Sequence, residues 1–254
     1  MSNTAVSVKD LSFGYSNLPN LIRFLSFEVK EGDIFAILGV NGCGKSTLID
    51  ILLGQKKPNS GTVEMQERCG FVPQKFSTSF DYSVEDIVLM GRATHVKTFS
   101  VPTEHDRNVA ENALNALGIA SWKHRLFSEL SGGQQQLVLL SRALATESKT
   151  ILLDEPTSAL DLGNQNKVLS LLKDIAERTG LTVIFTTHQP NHTVAIANKV
   201  LLMNKPNYPS GPIEEVLTPE TLTELFGMKI INMPLTVGNK TVDNFIPVFD
   251  VFHS

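Results

Sequence analysis

The sequence has little of what marks a secreted, membrane-spanning or nucleic-acid-binding chain. Its two cysteines, Cys43 and Cys69, are too few for a disulfide framework and lack metal-type spacing, so both are expected to stay reduced. No apolar run approaches the roughly 18 residues that a membrane-spanning helix needs. A membrane process served by this chain would therefore draw its membrane part from other chains. The opening stretch from Met1 to Val6 lacks the basic and apolar regions of a secretory signal. Positive charge is not in excess either. The net charge is -4, which does not favour nucleic acid as a partner, because its binders usually carry a basic footprint. Internal repeats and low-complexity segments are missing as well. What is present is an apolar fraction of 42% over 254 residues, enough for one large domain or a core domain with a subdomain.

Short apolar strands alternate with helical patterns, which predicts an α/β fold with a largely parallel sheet. Residues 4–9 and 24–29 read as early strands, the second alternating Leu25, Phe27 and Val29. Ile34 to Leu38, Ile151 to Leu153 and Val183 to Phe185 read as buried strands. After Asp161, Val168, Leu171, Leu172 and Ile175 share one helical face. A second helix is expected over about 104–117, with Val109, Ala113, Ala116 and Leu117 inward. Residues 75–130 interrupt the alternation and read as an inserted helical subdomain. The core is then 1–74 with about 131–227, including a short helix near 219–226. The tail 228–254 carries no assigned function, although Val237-Gly238-Asn239-Lys240 could turn a hairpin.

Gly39-Val40-Asn41-Gly42-Cys43-Gly44-Lys45-Ser46-Thr47 fits the phosphate-loop pattern G-x-x-x-x-G-K-[ST]. Glycines let backbone N–H groups close around a phosphate without Cβ clashes. A helix starting near Lys45 turns its positive end toward the anion. Lys45 is expected to reach the β- and γ-phosphates, Ser46 to ligate Mg²⁺ and Thr47 to add a phosphate contact. Cys43 lacks a catalytic partner and reads as a small loop residue. On its own the motif says only that the chain is an NTPase.

Ile151-Leu152-Leu153-Asp154-Glu155 is an apolar strand that ends in two acids. Such a strand delivers carboxylates to the mouth of an α/β sheet. Asp154 is then placed to hold Mg²⁺, and Glu155 to polarise a water for in-line attack on the γ-phosphate. Leu130-Ser131-Gly132-Gly133-Gln134 precedes a helical run to about Ala145. Its small residues again expose N–H groups at a helix start, a second anion site for which one chain has no obvious need.

With these motifs in order, the sequence resembles the ABC ATPase family over residues 4 to about 227. The resemblance implies a P-loop NTPase core with an early antiparallel β portion, and it implies ATP and Mg²⁺ as cofactors. It also resolves the second anion site: Ser131, Gly133 and Gln134 would cap the γ-phosphate bound by a second copy, giving an ATP-sandwich dimer. Tyr15 matches the aromatic that stacks on adenine. Gln74 matches the glutamine that contacts Mg²⁺ and the attacking water. Asp161, in Ser158-Ala159-Leu160-Asp161, matches the loop that crosses to the partner. His188 matches the histidine that contacts the γ-phosphate. His188 and His192 also sit four residues apart, but Pro190 between them argues against a metal pair on a regular helix.

Gly91-Arg92 followed by His95 resembles the type II importer branch, which moves vitamin B12, haem, iron–siderophore complexes or oxyanions. The stretches Ser83–His105 and Phe185–Asn191 are especially similar to the ATPase of a molybdate/tungstate importer. That implies two hydrophobic permease subunits, indirectly a periplasmic binding protein, and a peripheral place on the cytoplasmic membrane face. Asp86 and Arg92 are expected as polar contacts to the permease, with Val84, Ile87, Val88 and Met90 divided between core and groove. Arg92→Glu is then expected to spare ATP hydrolysis by the isolated chain and to impair coupling. Iron–siderophore or haem chelates are the next cargo, and the competing reading is a soluble ABC ATPase, such as one for iron–sulfur cluster assembly.

Overall fold

A computed structural model describes residues 3–93, 95, 101–158, 160–204 and 206–249. The fold is α/β, and its contacts divide into two compact units, Met1–Gln66 with Thr182–Ser254, and Glu67–Leu181.

Among the described residues, the core of the first unit carries strands of two sheets. One is antiparallel, ordered Leu18–Lys30, Thr4–Tyr15, Ser60–Met65. The two early strands run well past residues 4–9 and 24–29. Leu11 and Ile22 continue the buried face, and register shifts such as that between Val8 and Leu11 let the pairing go on. In the other sheet, Ile34–Leu38 lies between Thr182–Thr187 and Lys199–Leu202, parallel to both, and Ser210–Pro212 adds an antiparallel edge. All five residues of Ile34–Leu38 are buried, as expected of a central parallel strand without polar alternation. After the helix Pro219–Phe226 the tail forms two small ladders. Leu235–Val237 and Lys240–Val242 pair as a hairpin, with Gly238 at φ +60° in the first central position, which suits a type II′ turn.

In the second unit, Gly70–Val72 pairs in parallel with Thr150–Leu153. The helices Val84–Leu89, Glu104–Ala116 and Gly132–Leu144 pack on one another. Leu162–Thr179 forms the long helix expected after Asp161, with Val168, Leu172 and Ile175 buried and Leu171 only half-buried. The inward face of Glu104–Ala116 differs from the sequence expectation. It consists of Asp106, Ala110, Ala113 and Leu114, with Leu117 at the helix end buried as expected, while Ala116 is exposed and Val109 half-buried. Two neighbouring helices set this face, and it admits an acid because a cation waits there.

That cation is Arg92, and its placement corrects the expectation of a surface contact. Arg92 is 2% exposed. Its Nε donates to Asp106 Oδ1 at 3.1 Å, and its Nη1 donates to the Ala145 carbonyl at 2.8 Å and to Glu147 Oε2 at 2.7 Å. Thr103, through its hydroxyl and then its amide, and Arg92 beside it hold the Asp106 carboxyl down at about 2. This contribution to stability is complete above the ordinary carboxylate range and is lost as pH falls toward 2. Asp86 closes a capping box with Ser83, so its carboxylate is also used locally. Val84, Ile87 and Val88 are buried, whereas Met90 is 38% exposed. Gly91 packs against the Arg142 carbonyl, where a Cβ would stand 2.2 Å from the oxygen. His95 places Nε2 3.1 Å from the Thr146 carbonyl. Thr94 and residues 96–100 of the Ser83–His105 stretch, and Ala159 of the crossing loop, lie outside the described residues.

Candidate active site

The candidate residues fall into two groups, one in each unit. In the first unit, Ile34–Leu38 ends at Gly39, whose amide donates to the Thr187 carbonyl at 3.2 Å. A Cβ on Gly39 would stand 2.7 Å from Cys43 Sγ and 2.8 Å from Met203 Cβ, so the close return of the loop requires glycine. Gly44 caps the helix Lys45–Leu52 at φ +110° and offers no side chain, which leaves the first-turn N–H groups free of a side-chain cap. The half-buried Cys43 lines the loop behind the exposed Asn41, Gly42 and Ser46.

Lys45 is 5% exposed, and its Nζ donates to the carbonyls of Gly39 at 3.0 Å and Val40 at 3.1 Å. The ammonium is thus folded over the loop rather than extended into solvent, where an anion entering the cradle would meet it. The Tyr15 hydroxyl lies 3.2 Å from Thr47 Oγ1. Phe13 meets the Tyr15 ring edge-on at 5.0 Å, and Lys56 Nζ stands 6.0 Å from its centroid. These contacts orient an aromatic that stays 39% exposed and able to stack on a planar ligand. His188 follows the buried strand Thr182–Thr187 and is half-buried. Pro190 opens the helix Pro190–Ile196, so His188 precedes that helix and His192 lies within it. Burial, and secondarily His188, push the His192 imidazole below its ordinary value. Among the described residues, no group of three or more His, Cys, Asp or Glu side chains could hold a metal.

In the second unit, Asp154 extends the strand Thr150–Leu153 and donates its amide to the Val72 carbonyl at 2.9 Å. It is 7% exposed. Glu155 follows at φ +46°, a left-handed backbone that costs a non-glycine residue about 1–2 kcal/mol. Gln74 Nε2 donates to Glu155 Oε2 at 3.0 Å, so a residue just beyond Gly70–Val72 and one just beyond the paired strand meet. They open on a cavity of about 380 Å³ that Lys75, Gly132 and Gln135 also line.

Ser131 caps the helix Gly132–Leu144. Its Oγ accepts from the Gln134 amide, and Gln134 Oε1 accepts from the Ser131 amide at 3.0 Å. The glutamine oxygen therefore holds the helix start. Gly133 lies against Asn164, where a Cβ would come within 2.9 Å of the amide carbon. Asp161 caps the next helix, accepting from the Asn164 amide at 2.9 Å and from Asn164 Nδ2 at 2.7 Å. The Asn164 amide is the main cause of a lowered Asp161 carboxyl. Sequence reasoning missed Asn164 and Gln165. Gln165 Nε2 donates to the carbonyls of Thr157 at 3.3 Å and Leu160 at 2.9 Å and pins the crossing loop. The Asp161-x-x-Asn164 spacing was the available signal for the first.

Residues 22–158 match the ABC transporter family. The molybdate import ATP-binding protein MolC of Haemophilus influenzae is 51% identical over 97% of this chain and 98% of its own length. Among solved structures, an inward-facing ABC transporter described as of metal-chelate type is 50% identical. It covers 98% of this chain and 99% of its own, with a TM-score of 0.94. A dimeric bacterial ABC transporter cassette is 27% identical, covering 78% of this chain and 93% of its own, with a TM-score of 0.69.

Proposed function

This chain belongs to the ABC transporter family, and from that premise we propose that it hydrolyses ATP to power import of a metal oxyanion through separate membrane subunits, molybdate or tungstate being the cargo. The observation that carries the ATPase reading is the Gln74–Glu155 hydrogen bond at 3.0 Å. It sets a carboxylate and a water-orienting amide together, the pair that attack on a γ-phosphate requires. Lys45 exchanges its two loop carbonyls for β- and γ-phosphate oxygens. His188 contacts the γ-phosphate, and Glu155 takes the proton of the attacking water. Gln74 and Asp154 offer oxygen donors of the kind a hard cation takes, and Asp154 is nearly excluded from solvent. Mg²⁺ held there would neutralise phosphate charge.

Ser131, Gly133, Gln134 and Asp161 serve the nucleotide of a second copy, a reading that the dimeric relative supports. Similarity to a molybdate import ATP-binding protein, 51% identical over 97% of the chain, supports the cargo and disfavours a soluble cluster-assembly ATPase. A metal chelate is the second reading, favoured by the metal-chelate type relative. No helix among the described residues is long and apolar enough to cross a membrane, which suits a peripheral subunit on the cytoplasmic face.

The test is copurification with two hydrophobic subunits, followed by uptake in proteoliposomes given the cognate binding protein. Molybdate or tungstate uptake that Lys45→Ala abolishes is the expected result. Uptake of ferric chelates alone would transfer the cargo to the second reading. Failure to recover any membrane partner would overturn the importer.

Tyr15 yields a kinetic expectation. Stacking on a base is worth about 1–3 kcal/mol and reads few base edges. Tyr15→Ala should therefore raise the KM for ATP about tenfold while changing kcat less. The unaltered protein should also hydrolyse GTP, with a modest preference for ATP. Steady-state kinetics with both nucleotides decide this, and strict rejection of GTP would require a hydrogen-bonding base pocket instead.

A further inference from the structure

The tail from residue 228 onward has no part in the nucleotide chemistry described above, yet it is tied to the segment that carries His188. Among the described residues the hydrogen-bonded tie runs through one side chain, Asn191. The Phe245 amide donates to Asn191 Oδ1 at 2.9 Å. Asn191 Nδ2 donates in turn to the Phe245 carbonyl at 3.2 Å and to Asn244 Oδ1 at 3.1 Å. Both faces of the amide are used, and with Phe245 they reproduce the paired N–H and C=O exchange of a β-ladder.

The receiving end is built to hold. Phe245 is 4% exposed, and its strand Phe245–Pro247 pairs with Ile230–Asn232. Asn232 Oδ1 accepts from the Asn244 amide at 3.1 Å, and Asn232 Nδ2 donates to Asp243 Oδ1 at 2.7 Å. The Ile230 amide donates to Thr223 Oγ1 at 3.0 Å, which joins the ladder to the helix Pro219–Phe226.

The other end lies close to the chemistry. His188 sits on a short link between the strand Thr182–Thr187 and the helix that Pro190 opens. The strand side is held, since Thr187 Oγ1 accepts from the Gln189 amide at 3.1 Å and the Thr187 carbonyl accepts from Gly39. The helix Pro190–Ile196 has no side-chain cap at Gln189 and is short. Asn191, in its first turn, supplies a fixed point just beyond the histidine.

We propose that Asn191 is a positioning residue for His188, through which the C-terminal ladder braces the histidine link against the phosphate loop. The proposal rests on the γ-phosphate role given to His188 above. It assigns the tail a share in catalysis that no nucleotide contact would reveal. Misplacement of a catalytic group by about 1 Å can cost about 100-fold in rate. Loss of partly buried hydrogen bonds three residues away should cost less.

The experiment is a double-mutant cycle on the full chain, with ATP turnover measured at steady state and in single turnovers. Asn191→Ala is expected to lower kcat about tenfold and to leave the KM for ATP within about twofold. In the His188→Ala background the same change should lower the rate no further. Hydrogen exchange should quicken at the amides of both the Gln189 link and Phe245. An unchanged kcat in Asn191→Ala would overturn the proposal. So would an equal loss in both backgrounds, which would mean a role that does not pass through His188. If His188→Ala itself left turnover unaltered, the γ-phosphate role would fail first, a result distinct from either.

Discussion

Glu155→Gln is expected to bind ATP, stop turning it over and accumulate as a dimer holding two nucleotides. The amide has the shape of the carboxylate and can still hydrogen-bond to Gln74, whose Nε2 lies 3.0 Å from Glu155 Oε2. It cannot accept the proton of an attacking water. A positioned general base contributes about 10²- to 10⁴-fold, so kcat should fall at least about 100-fold while the affinity for ATP is kept. The left-handed backbone at φ +46° is equally open to glutamine, so the substitution tests chemistry rather than folding. On the shared-site reading, in which Ser131 and Gly133 serve the nucleotide of the other copy, blocked hydrolysis should hold the two copies together. Size-exclusion chromatography with ATP and Mg²⁺, with bound nucleotide counted in the eluted peak, reads this directly. A strictly monomeric variant saturated with ATP would sink the shared-site reading, and a variant with full turnover would remove Glu155 as the base.

Arg92→Glu is expected to be the most damaging single change in the second unit. The guanidinium is 2% exposed and donates to Asp106, to the Ala145 carbonyl and to Glu147. Removing one partner of a buried ion pair costs about 3–5 kcal/mol, because the remaining charge stays desolvated. Charge reversal goes further and sets three carboxylates around one small volume. At about 2–4 °C per kcal/mol for a chain of this size, the melting temperature should drop on the order of 10 °C. Arg92→Lys keeps the charge but not the planar fork, and should fall between the two. Thermal unfolding followed by circular dichroism checks the series. A variant that melts within about 2 °C of the unaltered protein would return Arg92 to the surface role read from its sequence.

The legible part of the molecule is local. Gly39 to Thr47 announced a strand, a loop and a helix because glycine, lysine and hydroxyl residues at that spacing have few other uses. Asp154 and Glu155 were legible because an apolar strand must stop where its carboxylates begin. Ser131 and Asp161 were read for nucleotide contacts, and the structure also makes each the cap of the helix that follows. Ile34–Leu38, Thr150–Leu153 and Thr182–Thr187 lie where their apolar runs placed them, within a residue or two.

What a helix face meets is a different matter. Periodicity around residue 109 offered Val109 and Ala116 as inward, yet the packed face takes Asp106, because Arg92 arrives there from another segment. An arginine after a glycine reads as a solvated helix end by local rule. It became the most buried cation among the described residues of the unit through Glu147, 55 residues away, and through a carbonyl at the end of another helix. Asn191 was read only as part of a resembling stretch and its pairing gave no signal, since its partners Asn244 and Phe245 lie more than 50 residues on. The chemical reading was available before folding, because the residues read for phosphate, base and metal contacts sit on contiguous turns whose backbone needs are local. Which polar side chains pair in the interior depended on the folded chain. The cost of burying a charge or an amide depends on partners that folding alone brings within 3 Å of it.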